Sequence, residues 1–192
     1  ANLFSTSQKN KAMVVTGPAL CEFEDSIPEW IEHVYFIRSR NETDQKIETC
    51  ATNNVLIDMR VFDFFNNKPF NEEYGLMGAE DVDFFNRVNK LNIDIVWCDE
   101  AIVYENISTE RSNFKNCILR TFNIGNSQYY RIKTQNMRRS LNVIINVIII
   151  IIQILLYSIL FPIKKIKLHK KINRFFRKIG FISGIFGYKN KE

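Results

Sequence analysis

The stretch VIINVIIIIIQILLYSILF, residues 143–161, runs for nineteen positions without a charge. Only Asn146, Gln153 and Ser158 interrupt it with polar groups. A helix on the surface of a water-soluble domain needs a polar face, and this run has none. At ~1.5 Å per residue it reaches about 28 Å, close to the hydrocarbon thickness of a bilayer. The run predicts a transmembrane or re-entrant helix over 141–163. A buried core helix and an interfacial helix are the alternatives. Arg138 and Arg139 precede it and Lys164, Lys165 and Lys167 follow, so positive charge at both ends leaves its orientation open. Pro162 offers a point at which the chain could turn back.

The residues after the run extend this reading. Within 164–192, Ile172, Phe175, Phe176, Ile179 and Ile182 fall at helical spacing with Lys and Arg between them. That pattern suits a basic amphipathic helix lying in the headgroup plane, or else a helix that binds a partner. Residues 141–192 carry ten Lys/Arg and one acid, Glu192; residues 1–140 carry sixteen Lys/Arg and twenty acids. The net charge of +5 is therefore made of a tail near +9 and a body near −4. The basic surplus belongs beside the apolar run, where anionic lipids account for it better than nucleic acid does. No apolar run follows a basic start at the N-terminus. The four cysteines, Cys21, Cys50, Cys98 and Cys117, are widely spaced and form no CxxC, as expected of reduced thiols in a cytosolic compartment.

The body alternates short apolar runs with helical patterns and shows no internal repeat. AMVVTGPAL (12–20) predicts a strand stopped by Gly17-Pro18. Residues 27–37 carry Ile27, Trp30, Ile31, Val34 and Tyr35 near helical spacing, with Pro28 in the first turn. Residues 41–49 are polar and predict a mobile loop, and 50–62 a short strand running into a helical stretch. Pro69, Gly75 and Gly78 break 66–78 into a loop. From Ala79 onward Phe84, Phe85, Val88 and Leu91 predict a helix. Strands follow at 93–98 and 101–105, joined by a turn at Asp99-Glu100, and then a helix from about Thr109 to Phe122.

Three acids, Glu80, Asp81 and Asp83, crowd into the first turn of the helix that starts near Ala79. Unpaired N–H groups and the helix dipole favour anions there, so capping alone accounts for acids at this place. A chemical use is also open. A sugar hydroxyl is a poor nucleophile and needs a carboxylate within reach of its proton.

The stretches TNNVLI, PFNEEYGLMGAEDVDFFNRV, IVWCDEAIVYENISTERSNF and LRTFNIGN, in that order, resemble the C-terminal half of family 2 glycosyltransferases, inverting enzymes with a GT-A fold. The likeness covers roughly residues 12–130 and is nearest to bacterial members that build exopolysaccharide or lipopolysaccharide. The resemblance implies an α/β fold: the acceptor-side half of a nucleotide-diphospho-sugar transferase over 1–140, followed by the membrane helix (141–163) and the basic tail (164–192). It implies that Asp81 is the general base, that Glu80 and Asp83 bind acceptor hydroxyls, and that Gly78 lets the acceptor approach the backbone. Asn53 and Asn54 would line the site near the donor sugar. Arg111, Arg120 and Gly125 match a helix and loop that close over the donor, with the arginines facing its phosphates.

The resemblance further implies a nucleotide-sugar donor, a saccharide or lipid-linked acceptor, and a divalent metal, Mg or Mn, for the complete enzyme. It places the catalytic domain on the cytoplasmic side of the inner membrane. The nucleotide-binding half with its Asp-x-Asp motif would precede Ala1, so the chain is expected to be a fragment. Asp81-Val-Asp83 fits Asp-x-Asp only in its letters, because it lies on a helix start. Glu105 stands where many relatives carry a His, which leaves the metal ligands undetermined. The alternative is a catalytically inactive remnant acting as a membrane-bound interaction module.

Overall fold

The computed structural model describes residues 1–26, 40–66, 68–72, 80–134, 149, 152, 156 and 168–189 of the chain. The chain forms two compact units, one of residues 1–26, 36–75 and 79–109, the other of 27–35, 76–78 and 110–192. The expected helix at 27–37 lies outside the described residues. So do Gly78 and, apart from three positions, the apolar run.

The first unit is mixed α/β. It opens with α1 (Asn2–Asn10), which ends where Lys11 takes a left-handed φ of 52°. Strands β1 (Val14–Thr16) and β2 (Ala19–Phe23) follow, separated by Gly17-Pro18. Next come β3 (Lys46–Ile47), a 3-10 turn at Thr52–Asn54, β4 (Val55–Ile57) and a short α2 (Arg60–Asp63). Then come α3 (Glu80–Lys90), β5 (Ile95–Trp97) and β6 (Val103–Ile107).

The four-stranded sheet has the order β3-β5-β1-β4. β1 is parallel to β5 and antiparallel to β4, while β3 is antiparallel to β5. β2 and β6 form a separate parallel pair. Two runs of chain, 14–23 and 95–107, thus lie side by side through both sheets and change sheet together. At that crossing a Cβ on Gly17 would stand 2.6 Å from the Ala101 carbonyl oxygen, so only glycine lets the two backbones come so close.

Alternation along β1 and β5 builds two cores. Val14 and Ile95 face Phe84, Phe85 and Val88 of α3 and Val61 of α2. Val15 and Val96 face the opposite side with Cys98, where Leu3 of α1 packs. Both faces are covered, which explains why all three residues of each strand are buried. The Phe84 ring sits 5.0–6.1 Å from those of Phe62, Phe65, Phe70 and Phe85.

Several expectations need correction. The stretch 41–49 is not a loose loop: Asp44 pairs with Lys9 at 2.5 Å and accepts from Asn10, Thr43 bonds Glu100, and Lys46–Ile47 pair with β5. The strand expected to stop at Gly17-Pro18 is β1, which ends at Thr16; the second strand, β2, that begins right after Pro18 was not foreseen. The strand placed at 101–105 runs from Val103 to Ile107. The α3 helix stops before Leu91, which is exposed, and Asn92 takes a left-handed φ of 58° just beyond it.

The second unit is helical where it is described, with α4 (Thr109–Ser112, shared with the end of the first unit), α5 (Phe114–Thr134) and α6 (Leu168–Ile185). Asn113 caps α5 by accepting the N–H of Asn116 at 2.9 Å. The helix expected to stop at Phe122 continues to Thr134, because Gly125 is a packing position rather than a break. A Cβ there would stand 1.8 Å from the Arg177 carbonyl oxygen of α6, and one on Gly180 would stand 1.9 Å from the Phe122 oxygen. Small residues thus let α5 and α6 meet backbone to backbone. Fully buried Asn126 fastens the contact, donating to Ser183 and to the Tyr188 carbonyl, each at 2.9 Å.

The α6 helix ends in a left-handed Gly187 (φ 83°), with Gly187 N–H bonded to the Gly184 oxygen and Tyr188 N–H to that of Ser183. The tail, read as an interfacial helix or a partner-binding one, docks on α5 along one side. Its inner face is Gly180, Phe181 and Gly184 rather than the Ile/Phe stripe singled out from the sequence. Among the described residues no helix is long and apolar enough to cross a membrane. Within the apolar run, Ile149, Ile152 and Leu156 are helical and about half exposed.

Candidate functional site

The acids open α3, and α3 is held in place by the spacing of its apolar residues. Phe84, Phe85 and Val88 must face the sheet, which fixes the first turn beside the chain entering the 3-10 turn at Thr52–Asn54. The Asp81 carboxylate accepts the N–H of Val82 at 2.6 Å and also hydrogen-bonds the backbone of Thr52. Thr16 ends β1, and its hydroxyl donates to the Asn54 oxygen at 2.8 Å and lies beside the Cys50 thiol. Asp81 therefore sits close to the carboxyl end of β1, one of a parallel pair, the place where open α/β sheets gather ligands.

Burial raises the pKa of Asp81 above that of an ordinary aspartate, and the neighbouring Glu80 charge adds to the rise; the backbone donors oppose it. Among the described residues no cation contributes to this balance. The result is a half-buried carboxylate more basic than a solvated one. Cys50 is an inert neighbour, its thiol pushed up to about 12 by burial, with the Asp81 charge helping. Glu80 Oε2 is buried and finds no hydrogen-bond partner among the described residues.

The other candidates divide. The resemblance implies that Asp83 binds acceptor hydroxyls. Its carboxylate pairs with Arg87 at 2.9 Å, one turn along α3. Arg87 also donates to the Pro69 oxygen and lies 4.8 Å over the Phe65 ring, so the pair ties residues 65–69 to the helix. Asn54 is also committed. It is buried, and its amide hydrogens go to the carbonyls of Pro18 (3.0 Å) and Ala101 (2.6 Å), bracing the point where both chain runs change sheet. Asn53 is exposed.

Arg111 and Arg120 belong to the second unit, on α4 and α5. Gly125 lies inside α5 against α6, not in a loop. Sequence reasoning missed two partners: the Thr52 backbone, which no residue pattern announces, and Arg87, whose i,i+4 spacing from Asp83 was the available signal.

Among the described residues no group of three or more His, Cys, Asp or Glu could hold a metal ion. Arg87 takes one half of the Asp81-x-Asp83 pair, so these residues do not fit a divalent cation. No protein family, no curated protein and no solved structure matches the chain.

Proposed function

We propose that the chain is the acceptor-side half of an inverting glycosyltransferase. It moves a sugar from a nucleotide-diphospho-sugar to a saccharide or lipid-linked acceptor in cell-surface polysaccharide synthesis. The observation that carries this reading is the placement of Asp81: half-buried, held by the amides of Thr52 and Val82, with no ion pair to a cation among the described residues, and near the carboxyl end of β1. In this reading Asp81 takes the proton of an acceptor hydroxyl while that oxygen bonds to the anomeric carbon. The bond from that carbon to the diphosphate oxygen breaks, and the configuration inverts. Glu80 receives a neighbouring hydroxyl. Asp83 and Asn54 support the frame instead of touching substrate.

The reading includes a GT-A fold completed by a donor-binding half, and a membrane anchor over 141–163 that brings the site to a lipid-linked acceptor at the cytoplasmic face. A second reading, a catalytically inactive interaction module, is favoured by the commitment of Asp83 and Asn54 to internal bonds, which leaves few polar side chains for substrate. Sugar transfer by the complete enzyme separates the two. Asp81→Asn is expected to lower transfer by at least ~100-fold with donor affinity unchanged, whereas Asp83→Asn keeps most of the rate. Equal transfer by Asp81→Asn and the parent enzyme removes Asp81 from the base role.

A further inference from the structure

The 3-10 turn at Thr52–Asn54 has no side-chain cap of its own. The start of such a turn leaves N–H groups without an internal partner, and the backbone of Thr52 bonds the Asp81 carboxylate. What holds the turn in place is its last residue. Asn54 is buried, and its side-chain amide donates to the carbonyls of Pro18 at 3.0 Å and Ala101 at 2.6 Å. Its own carbonyl accepts the Thr16 hydroxyl at 2.8 Å and the Gly17 N–H at 3.2 Å. The two runs of chain that change sheet together thus both grip one residue, in the same short turn as the donor that meets Asp81. Thr16 is itself 2% exposed and stands opposite Val55 in the β1–β4 register, so the chain leaving the turn is fixed as well.

We propose that Asn54, seconded by Thr16, is a positioning residue for Asp81: it sets the Thr52 N–H against the carboxylate and so fixes where that carboxylate points. The kinetic part of this proposal rests on the glycosyltransferase reading; the placement of Asp81 does not. The Thr52 N–H favours the charged carboxylate and opposes the burial that disfavours it. A turn that drifts weakens this bond, and the titration of Asp81 then moves to higher pH. Among the described residues the other titratable groups around Asp81 stay as they are: Glu80 keeps its charge, the Cys50 thiol is held protonated by burial, and Asp83 is paired with Arg87.

Asp81 itself supplies the readout. The full chain is isotope-labelled at its aspartate carboxyl carbons, and the Asp81 resonance is the one that Asp81→Asn removes. It is titrated in the parent, Asn54→Ala, Thr16→Val and Thr16→Ser. The expected result is a titration displaced to higher pH in Asn54→Ala and, by less, in Thr16→Val, which keeps the side-chain shape and loses only the hydroxyl. Thr16→Ser restores the hydroxyl and titrates with the parent. In the complete enzyme the acid limb of kcat/KM for sugar transfer follows, so that on the limb Asn54→Ala loses roughly threefold more than on the plateau. A residue that only braces the fold lowers the melting temperature and leaves the titration in place, and that outcome overturns the proposal. If Asn54→Ala fails to fold, Thr16→Val decides on the same terms. A displaced titration with an unmoved kinetic limb upholds the positioning and overturns the base reading.

Discussion

At the scale of single residues, Asp81 carries a stability effect with a definite sign. Its folded pKa is raised, so the native state holds its proton more tightly than the unfolded chain does. The stabilising contribution is therefore complete below the unfolded pKa and lost as pH rises through the folded one. Wherever it is ionised the carboxylate is a burden, chiefly because it is partly buried. Asp81→Asn keeps an oxygen for the Val82 and Thr52 amides and removes the charge. Thermal unfolding at pH 7 is expected to move up by about 1–3 °C in this variant. Parent and variant should converge as pH falls below the folded pKa. A lower melting temperature at pH 7 would mean that the carboxylate is a needed cap rather than a retained functional charge.

At the scale of elements, the glycines at the α5–α6 contact are not alike. In Gly125→Ala and Gly180→Ala the new methyl meets main-chain carbonyls that cannot swing away. Each should cost about 1–3 kcal/mol in denaturant unfolding followed by circular dichroism. In Gly184→Ala the methyl meets the Tyr129 ring, a side chain able to turn, so a smaller loss is expected. Equal losses at all three would show that helix propensity, not contact, sets the effect. These glycines also show what the letters conceal. Phe84, Phe85 and Val88 announce α3 because a helix on a sheet needs a wide apolar stripe. Helices that meet at their backbones need an absence of side chains, so α6 advertised its Phe and Ile residues while docking through glycine. The α1 helix escaped notice for a related reason: NLFSTSQKN buries Thr6 and rests Leu3 on the sheet, too little to make a periodic signal. Of the candidate site, the acids and the TNN turn were legible. The commitment of Asn54 was not, because it depends on carbonyls brought near from 36 and 47 positions away; the Asp83–Arg87 pair stands at i,i+4 spacing and could have been read from the sequence.

At the scale of the whole molecule, each unit has its own work in the proposed function. The mixed-sheet unit supplies a base at the end of a parallel pair. The helical unit carries the basic charge and the apolar surface. The base is the part on which the account depends, and its ionisation is accessible to kinetics. The most direct measurement is the pH profile of kcat/KM for sugar transfer in the complete enzyme, compared with Glu80→Gln. The account predicts a single acid limb lying above the ordinary aspartate range. It moves to lower pH in Glu80→Gln, because removing the neighbouring charge relieves Asp81. A limb that stays where it was in Glu80→Gln, or transfer that does not fall with acid at all, would contradict it.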